Sequence, residues 1–142
     1  MTTIFFSWQS DLPNKTNRNL IENSIKLALK KMNQDSPYSL ITEIDRDTKG
    51  VLGSPDIVDS ILTKIDKCSL FIADISIINS SLNGKRTPNP NVLFELGYAV
   101  KCLGWDRVIC VFNSDFGDVS ELPFDLRNRR ILTYETSNIS ET

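Results

Sequence analysis

One carboxylate stands alone in an apolar stretch of the sequence. Glu95 is the only charged residue in the segment NPNVLFELGYAV, which covers positions 89–100. At about 3.6 residues per turn, Glu95 shares a helix face with Asn91 and Tyr98, so amide and hydroxyl groups flank it near the positive end of the helix. This setting makes Glu95 a candidate catalytic residue. The pattern is equally compatible with a structural glutamate that pairs with an Arg or a Lys.

Other polar side chains stand where predicted strands end. Ligands of an open parallel sheet bind in the crevice beyond the carboxyl ends of the strands, so these residues should converge on one rim. Their hydroxyl, amide and carboxylate groups suit hydrogen bonding to a ribose. The candidate substrate-binding residues are Ser7, Trp8, Ser10, Asp45, Arg46, Asp74, Asn89, Asn91 and Tyr98.

Some of these positions have a structural alternative. Trp8 fits a partly buried core position better than an open stacking platform, and Asp74 fits the cap of the turn that follows its strand. Gln9 and Ser76 occupy the same kind of strand-end position, without a role that the sequence assigns.

Composition excludes several chemistries. The 142 residues include no histidine, which rules out Ser-His-Asp and Cys-His mechanisms, and the three cysteines lack the spacing of a zinc site. No Gly-rich phosphate loop of the Rossmann or Walker type is present. A net charge of -2 without a long basic run argues against binding to nucleic acid or to an anionic membrane. Any reaction would rely on carboxylates, hydroxyls, amides and backbone groups.

The sequence is typical of a cytoplasmic protein. No apolar run reaches the roughly 18 residues that span a bilayer, and the N-terminus has no basic region of the secretory type. Cys68, Cys102 and Cys110 each stand in an apolar context, so we expect buried, reduced thiols.

Hydrophobic periodicity predicts alternating strands and helices. The predicted strands cover residues 3–8, 40–45, 69–75, 107–112 and 130–134. The predicted helices cover residues 16–33, 54–67 and 90–103, the last with Asn89 as N-cap and Gly104 as its stop. This order indicates an α/β, flavodoxin-like, open five-stranded parallel sheet with helices on both faces. We expect one domain over residues 1–135, followed at 136–142 by a polar tail or the start of a linker.

Three segments carry a resemblance to a known family. IFFSWQSDLPNKTNR at 4–18, SLFIADIS at 69–76 and NPNVLFELGYAVKCLG at 89–104 resemble bacterial TIR (Toll/interleukin-1 receptor) domains. The likeness is to the TIR-like nucleotide-binding branch of antiphage defence effectors, including the TIR part of TIR–STING-type proteins. It spans nearly the whole chain, and NPNVxFELGYA is its most specific motif.

The resemblance implies a function. Many members of the family hydrolyse NAD+ at the nicotinamide–ribose bond with a glutamate on the helix after the third strand, and Glu95 occupies that position. NAD+ would then be a substrate, and neither a cofactor nor a metal is implied. The loop with Ser7, Trp8 and Ser10 and the flap at 46–54 match regions that line the family's NAD pocket. Members are commonly activated by self-assembly and are often joined to a sensor domain for a cyclic nucleotide.

Two other functions fit the same residues. The chain could be a non-catalytic TIR scaffold that works through self-association. It could also be an N-glycosidase that acts on another nucleotide, since nucleoside deoxyribosyltransferases look similar over the Glu95 helix and also use a glutamate. A receiver-like phosphoacceptor fits less well, because no Lys ends the RVICVF strand.

Overall fold

Five parallel strands form the sheet. A computed structural model describes residues 2–35, 42–46 and 57–137, and the side chains of 3–34 and 57–137. The strands lie in the order β2-β1-β3-β4-β5, and every neighbouring pair is parallel. This is the flavodoxin-like order, so the predicted fold class is confirmed. The strands are β1 (Thr2–Ser7), β2 (Thr42–Arg46), β3 (Leu70–Asp74), β4 (Val108–Asn113) and β5 (Ile131–Tyr134).

Helices cover both faces of the sheet. They are α1 (Arg18–Asp35), α2 (Ile57–Lys67), α3 (Pro90–Leu103) and the short α4 (Phe124–Arg127). Successive strand residues point to opposite faces, which divides the core into two parts. Phe5 and Phe71 stack with α2 and α3 on one face, and Ile4 and Phe6 pack with α1 on the other.

The sequence sets both ends of α3. The side-chain oxygen of Asn89 accepts a hydrogen bond from Asn91 N at 2.7 Å, and Pro90 takes the first helical position, where a missing N–H costs nothing. Gly104 ends the helix at φ 80°, a backbone conformation that favours glycine. The predicted cap and stop are therefore confirmed. Glu95 lies on the buried face of this helix, about one and a half turns from its start.

The segment between β4 and β5 contains more structure than its sequence indicates. Two 3₁₀ turns at Ser114–Phe116 and Val119–Glu121 precede α4. Asn113 and Asp118 cap these turns with side-chain oxygens that accept backbone N–H bonds. Turns this short leave no hydrophobic period, so the polar caps are their only sequence signal. The predicted flap at 46–54 and the predicted helix start at 54–55 lie largely outside the described residues.

The chain after β5 is held by an aspartate of the loop after β4. Asp115 accepts hydrogen bonds from the backbone and hydroxyl groups of Thr136 and of Ser137. The bonds from Thr136, followed by those from Ser137, lower the pKa of Asp115. The predicted tail or linker at 136–142 thus begins in an ordered contact, and positions 138–142 lie outside the described residues. Among the described residues no helix has the length and apolarity to cross a membrane.

The cysteines differ in exposure, which corrects one expectation. Cys68 and Cys110 are buried as predicted, whereas Cys102 is exposed. Cys102 falls at the edge of the apolar stripe of α3, and Leu103 takes the inward position beside it.

We expect a thiol reagent to modify Cys102 alone in the folded protein. The thiolate is the reactive form, and burial raises the pKa of Cys110 to about 11 and also raises that of Cys68. Mass spectrometry after iodoacetamide treatment checks this, with urea-unfolded protein as the three-site reference. Cys102→Ser should leave the folded protein unmodified. Labelling of Cys110 at the rate of Cys102 would contradict the described core.

Candidate functional site

A hydrogen bond joins Glu95 to the end of the first strand. The hydroxyl of Ser7 donates to Glu95 Oε1 at 2.8 Å, and both side chains are buried. Glu95 keeps 5% of its surface exposed. The predicted convergence of the β1 end and the α3 carboxylate is therefore present. The bond fixes the orientation of the carboxyl group in a region of low dielectric, where electrostatic interactions are stronger than in water.

The Ser7–Glu95 pair lies beside the switch point of the sheet. Ser7 is the last residue of β1 and is in register with Ala73 of the neighbouring strand β3. The chain leaves β1 for β2 on one side and leaves β3 for β4 on the other side. A crevice opens where such connections diverge, and ligands of open α/β sheets bind there.

Gln9 connects three segments of the rim. Its amide donates to Ser76 O at 2.8 Å, and its side-chain oxygen accepts from Asn89 N at 2.9 Å. Asn89 in turn donates from its side-chain amide to Asp11 Oδ2 at 2.6 Å. The loop after β1 is thereby tied to the loop after β3 and to Asn89, the N-cap of α3. These contacts fix where α3 begins and so fix the position of Glu95.

Asp74 belongs to a buried polar network below the rim. It is 0% exposed, and its oxygens accept from Asn17 Nδ2 at 3.0 Å, Ser76 N at 3.0 Å and Ser76 Oγ at 2.7 Å. Asn113 extends the network by donating to Asn17 Oδ1 at 3.3 Å. Burial raises the pKa of Asp74, against the lowering effect of these donors. Its contacts are those of the turn-capping residue that the sequence allowed as an alternative.

Trp8 lies on the face of the sheet opposite Glu95. It packs against the α1 side of the core, and the guanidinium of Arg18 lies 3.8 Å from the ring centroid. Trp8 directly follows β1 and continues the alternation of its side chains, so Ser7 and Trp8 point to opposite faces. The structure therefore does not bring Trp8 to Glu95, and the core interpretation is confirmed. Trp8 Nε1 and Arg18 Nε have no hydrogen-bond partner among the described residues.

Three further candidates on β1 and α3 differ in where they lie relative to the Ser7–Glu95 pair. Ser10 and Asn91 are exposed near the rim. Tyr98 points along α3 away from it, where its interaction with the Cys102 side chain, together with burial and nearby Asp66, raises the pKa of Tyr98. A shared helix face does not decide which way along the axis a long side chain extends, and the structure does not bring Tyr98 to the rim.

Two candidates belong to β2. The backbone places Asp45 opposite Phe5 and Arg46 opposite Phe6 in the register of β1 and β2, at the carboxyl end of the strand. Their side chains lie outside the described residues, so their role as substrate contacts stays a prediction.

Three positions that matter for the site carry no assigned role in the sequence. Gln9 is a strand-end residue without a distinguishing motif, and Asn17 fits an ordinary helix cap. Asn113 ends β4, and the search for polar residues at the carboxyl ends of the strands would have found it if it had been extended to β4. All three have a side-chain amide that is buried where loops from distant parts of the chain come together.

We expect Ser7→Ala to lower the activity of the site by a factor of about 10–100. The variant removes the donor that orients Glu95 Oε1 while it leaves the carboxylate in place, and a hydrogen bond to a charged group contributes about 1.5–3 kcal/mol. Steady-state kinetics checks the loss, with kcat falling more than KM rises. Ser114→Ala is the matched control, because its exposed hydroxyl donates to Tyr134 O at 3.1 Å. Equal kcat for the two variants would contradict the orienting role.

Comparisons with known proteins do not identify the chain. No family model matches it, and no curated protein matches it. Among solved structures, a 2-desoxiribosyltransferase from Leishmania mexicana is similar with a TM-score of 0.49 and 21% identity, over 79% of this chain and 65% of that one. A likeness this distant assigns neither site nor substrate, and the fold assignment rests on the strand order. The TIR resemblance stays a prediction.

The described residues contain no group of three or more metal-ligating side chains. Among the described residues, the site offers the Glu95 carboxylate held by the Ser7 hydroxyl, with the side chains of Gln9, Asn89 and Asp11 joined along the same rim.

Proposed function

We propose that this chain cleaves an N-glycosidic bond of a nucleotide, with Glu95 as the catalytic carboxylate and NAD+ as the first substrate to test. The observation that supports it is the 2.8 Å hydrogen bond that holds a nearly buried carboxylate beside the switch-point crevice. Glycosyl transfer passes through a transition state with positive charge on the sugar. A preorganised carboxylate stabilises that charge without a histidine.

The reaction needs little acid catalysis when the substrate is NAD+. The bond between ribose C1′ and the pyridinium nitrogen breaks, and nicotinamide leaves as a neutral molecule that keeps the electron pair. Glu95 faces the ribosyl group as positive charge develops on it. Water then attacks C1′ and releases one proton, which Glu95 or solvent accepts. ADP-ribose and nicotinamide are the products.

Nucleosides and nucleotides with a neutral base are the alternative substrates. A neutral leaving base such as a purine requires a proton donor, and a chain without histidine has no imidazole to supply one. NAD+ needs no such donor, which makes it the first substrate to test. Self-association, a fused sensor domain and a role in antiphage defence remain proposals that rest on the TIR resemblance alone.

A substrate panel tests the proposal. The protein, across a range of concentrations that would populate assemblies, is incubated with NAD+, NADP+, ribonucleosides and 2′-deoxynucleosides, with and without an acceptor base. Chromatography with mass detection follows the released base. We expect nicotinamide release from NAD+. Base exchange without NAD+ cleavage would replace the hydrolase by a transferase, and an inactive panel at every concentration would favour a non-catalytic scaffold.

A further inference from the structure

A cavity of about 560 Å³ opens at the amino edge of the sheet, and we call it the amino-edge cavity. It lies between two segments that lead into strands, the 3₁₀ turn Trp105–Arg107 before β4 and residues 128–130 before β5. The strands are parallel, so this edge is opposite the carboxyl rim that holds the Ser7–Glu95 pair. The six residues of β4 separate the two edges by about 20 Å. The cavity is therefore distinct from the candidate functional site.

The lining of the amino-edge cavity is partly apolar and partly polar. Four of its described residues are apolar, and the half-buried ring of Trp105 is the largest of them. The polar ones are Asp106, Asn128, Arg129 and Arg130. Sites for small molecules have volumes of about 300–1,000 Å³ and combine an apolar surface with a few polar groups. The size and the lining of this cavity both fall within that description.

The two arginines of the cavity have unused hydrogen-bond donors. Within the part of the chain that the structure describes, neither the Arg129 nor the Arg130 guanidinium makes a hydrogen bond or an ion pair. By contrast, the guanidinium groups of Arg86 and Arg107 donate to backbone carbonyl oxygens. A guanidinium offers five N–H donors in a planar fork that matches a phosphate group. Arg129 and Arg130 thus offer this fork to a ligand in the cavity.

Arg129 is held against an aromatic ring. Its guanidinium carbon lies over the Trp105 ring at 4.5 Å from the ring centroid, and the Arg129 side chain is exposed. Guanidinium planes stack on nucleobases as they do on indole rings. One face of the Arg129 guanidinium covers Trp105, and a heterocyclic base on the other face would extend the stack.

The acidic groups nearby decide how an anion could be held. Asp106 lines the cavity, and α1 ends in Asp35 toward the same edge of the sheet. With these carboxylates present, an anion would be held by direct hydrogen bonds from the arginines rather than by a broad positive field. The Asp106 carboxylate and the Asn128 side-chain oxygen can also accept hydrogen bonds from hydroxyl groups. A ribose supplies such hydroxyls, whereas a simple inorganic anion does not.

We propose that the amino-edge cavity binds a nucleoside monophosphate. The phosphate group would be bound by Arg130, and the base would stack on the exposed face of the Arg129 guanidinium. The ribose hydroxyls would donate to Asp106 and Asn128. Each contact uses a group that already lines the cavity. This binding site is independent of the proposed N-glycosidic activity, because Glu95 takes no part in it.

Titration with adenosine 5′-monophosphate (AMP) tests the site. Binding is followed through Trp105 emission in a Trp8→Phe variant, since the chain has two tryptophans. We expect a saturable change with AMP, and binding at least tenfold weaker for inorganic phosphate and for adenosine, which each carry one part of the ligand. Glu95→Gln in the same background should leave AMP affinity unchanged, which separates this site from the crevice at Glu95. No saturable change with AMP, or equal binding of phosphate alone, would overturn the proposal.

Variants of the arginines complete the test. Arg129→Gln and Arg130→Gln should each weaken AMP binding at least tenfold, because each removes a charged donor group. Arg127→Gln is the matched control, since the Arg127 guanidinium lies 5.4 Å from the Phe124 ring centroid and does not line the cavity. Titration calorimetry repeats the comparison, because Arg129→Gln also changes the surroundings of Trp105. The three arginines are exposed, so the variants should fold, which circular dichroism checks. Equal AMP affinity in all three variants would overturn the proposal.

Discussion

Glu95→Gln is expected to lower kcat for N-glycosidic cleavage at least a hundredfold while KM changes little. The substitution keeps the shape of the side chain and an oxygen that can accept from Ser7, but it removes the negative charge. Loss of one preorganised electrostatic group of this kind typically costs a factor of about 10²–10³ in kcat. Steady-state release of nicotinamide, or of whichever base the panel identifies, measures the change.

The control for Glu95→Gln separates catalysis from folding. Glu121→Gln makes the same chemical change at an exposed glutamate of a 3₁₀ turn and should leave kcat unchanged. Urea unfolding of both variants should show similar midpoints to the native protein. If Glu95→Gln unfolds at a much lower urea concentration than the native protein, a structural role for Glu95 would account for the lost activity.

Asp74→Ala is expected to cause a large loss of stability, on the order of 3–5 kcal/mol in the free energy of unfolding. The variant leaves the Ser76 N–H and the Asn17 amide buried without their acceptor, and each such group costs about 1–3 kcal/mol. Urea denaturation followed by circular dichroism measures it. Asp118→Ala, at an exposed aspartate that caps a 3₁₀ turn, should lose much less. Equal losses would show that the Asp74 network contributes little.

The pH dependence of stability gives a second readout of Asp74. Burial raises the pKa of Asp74 in the folded protein, so the folded state binds this proton more tightly than the unfolded state. The stabilisation that this proton gives the folded state is fully present below the unfolded-state pKa of about 3.9. It is lost as the pH rises through the pKa of Asp74 in the folded protein. The difference in unfolding free energy between native protein and Asp74→Ala should therefore widen as pH falls from neutral toward about 4.

The features that sequence predicts well are local. The cap at Asn89 and the stop at Gly104 depend on residues within one turn of each helix end, and the placement of Glu95 on the buried face follows from helical spacing. The alternation of strands and helices along the chain follows from short apolar runs and helical spacing. Each of these patterns lies within a few residues, so the chain alone specifies it.

The features that sequence missed depend on distant segments. The role of Gln9 in connecting loops depends on its hydrogen bonds to Ser76 and Asn89. These contacts join residues 67 and 80 positions apart. Trp8 is different, since the alternation of side chains in β1 already separates it from Ser7. Tyr98 shows the limit of a helical wheel, which gives the face of a residue but not the direction of its side chain along the axis.

The assay that tests the central claim most directly compares base release by native protein and Glu95→Gln at equal concentration, with both shown to be folded. We predict that the native protein releases nicotinamide from NAD+ and that Glu95→Gln releases it at least a hundredfold more slowly. Equal release by the two proteins would contradict the assignment of Glu95 as the catalytic carboxylate.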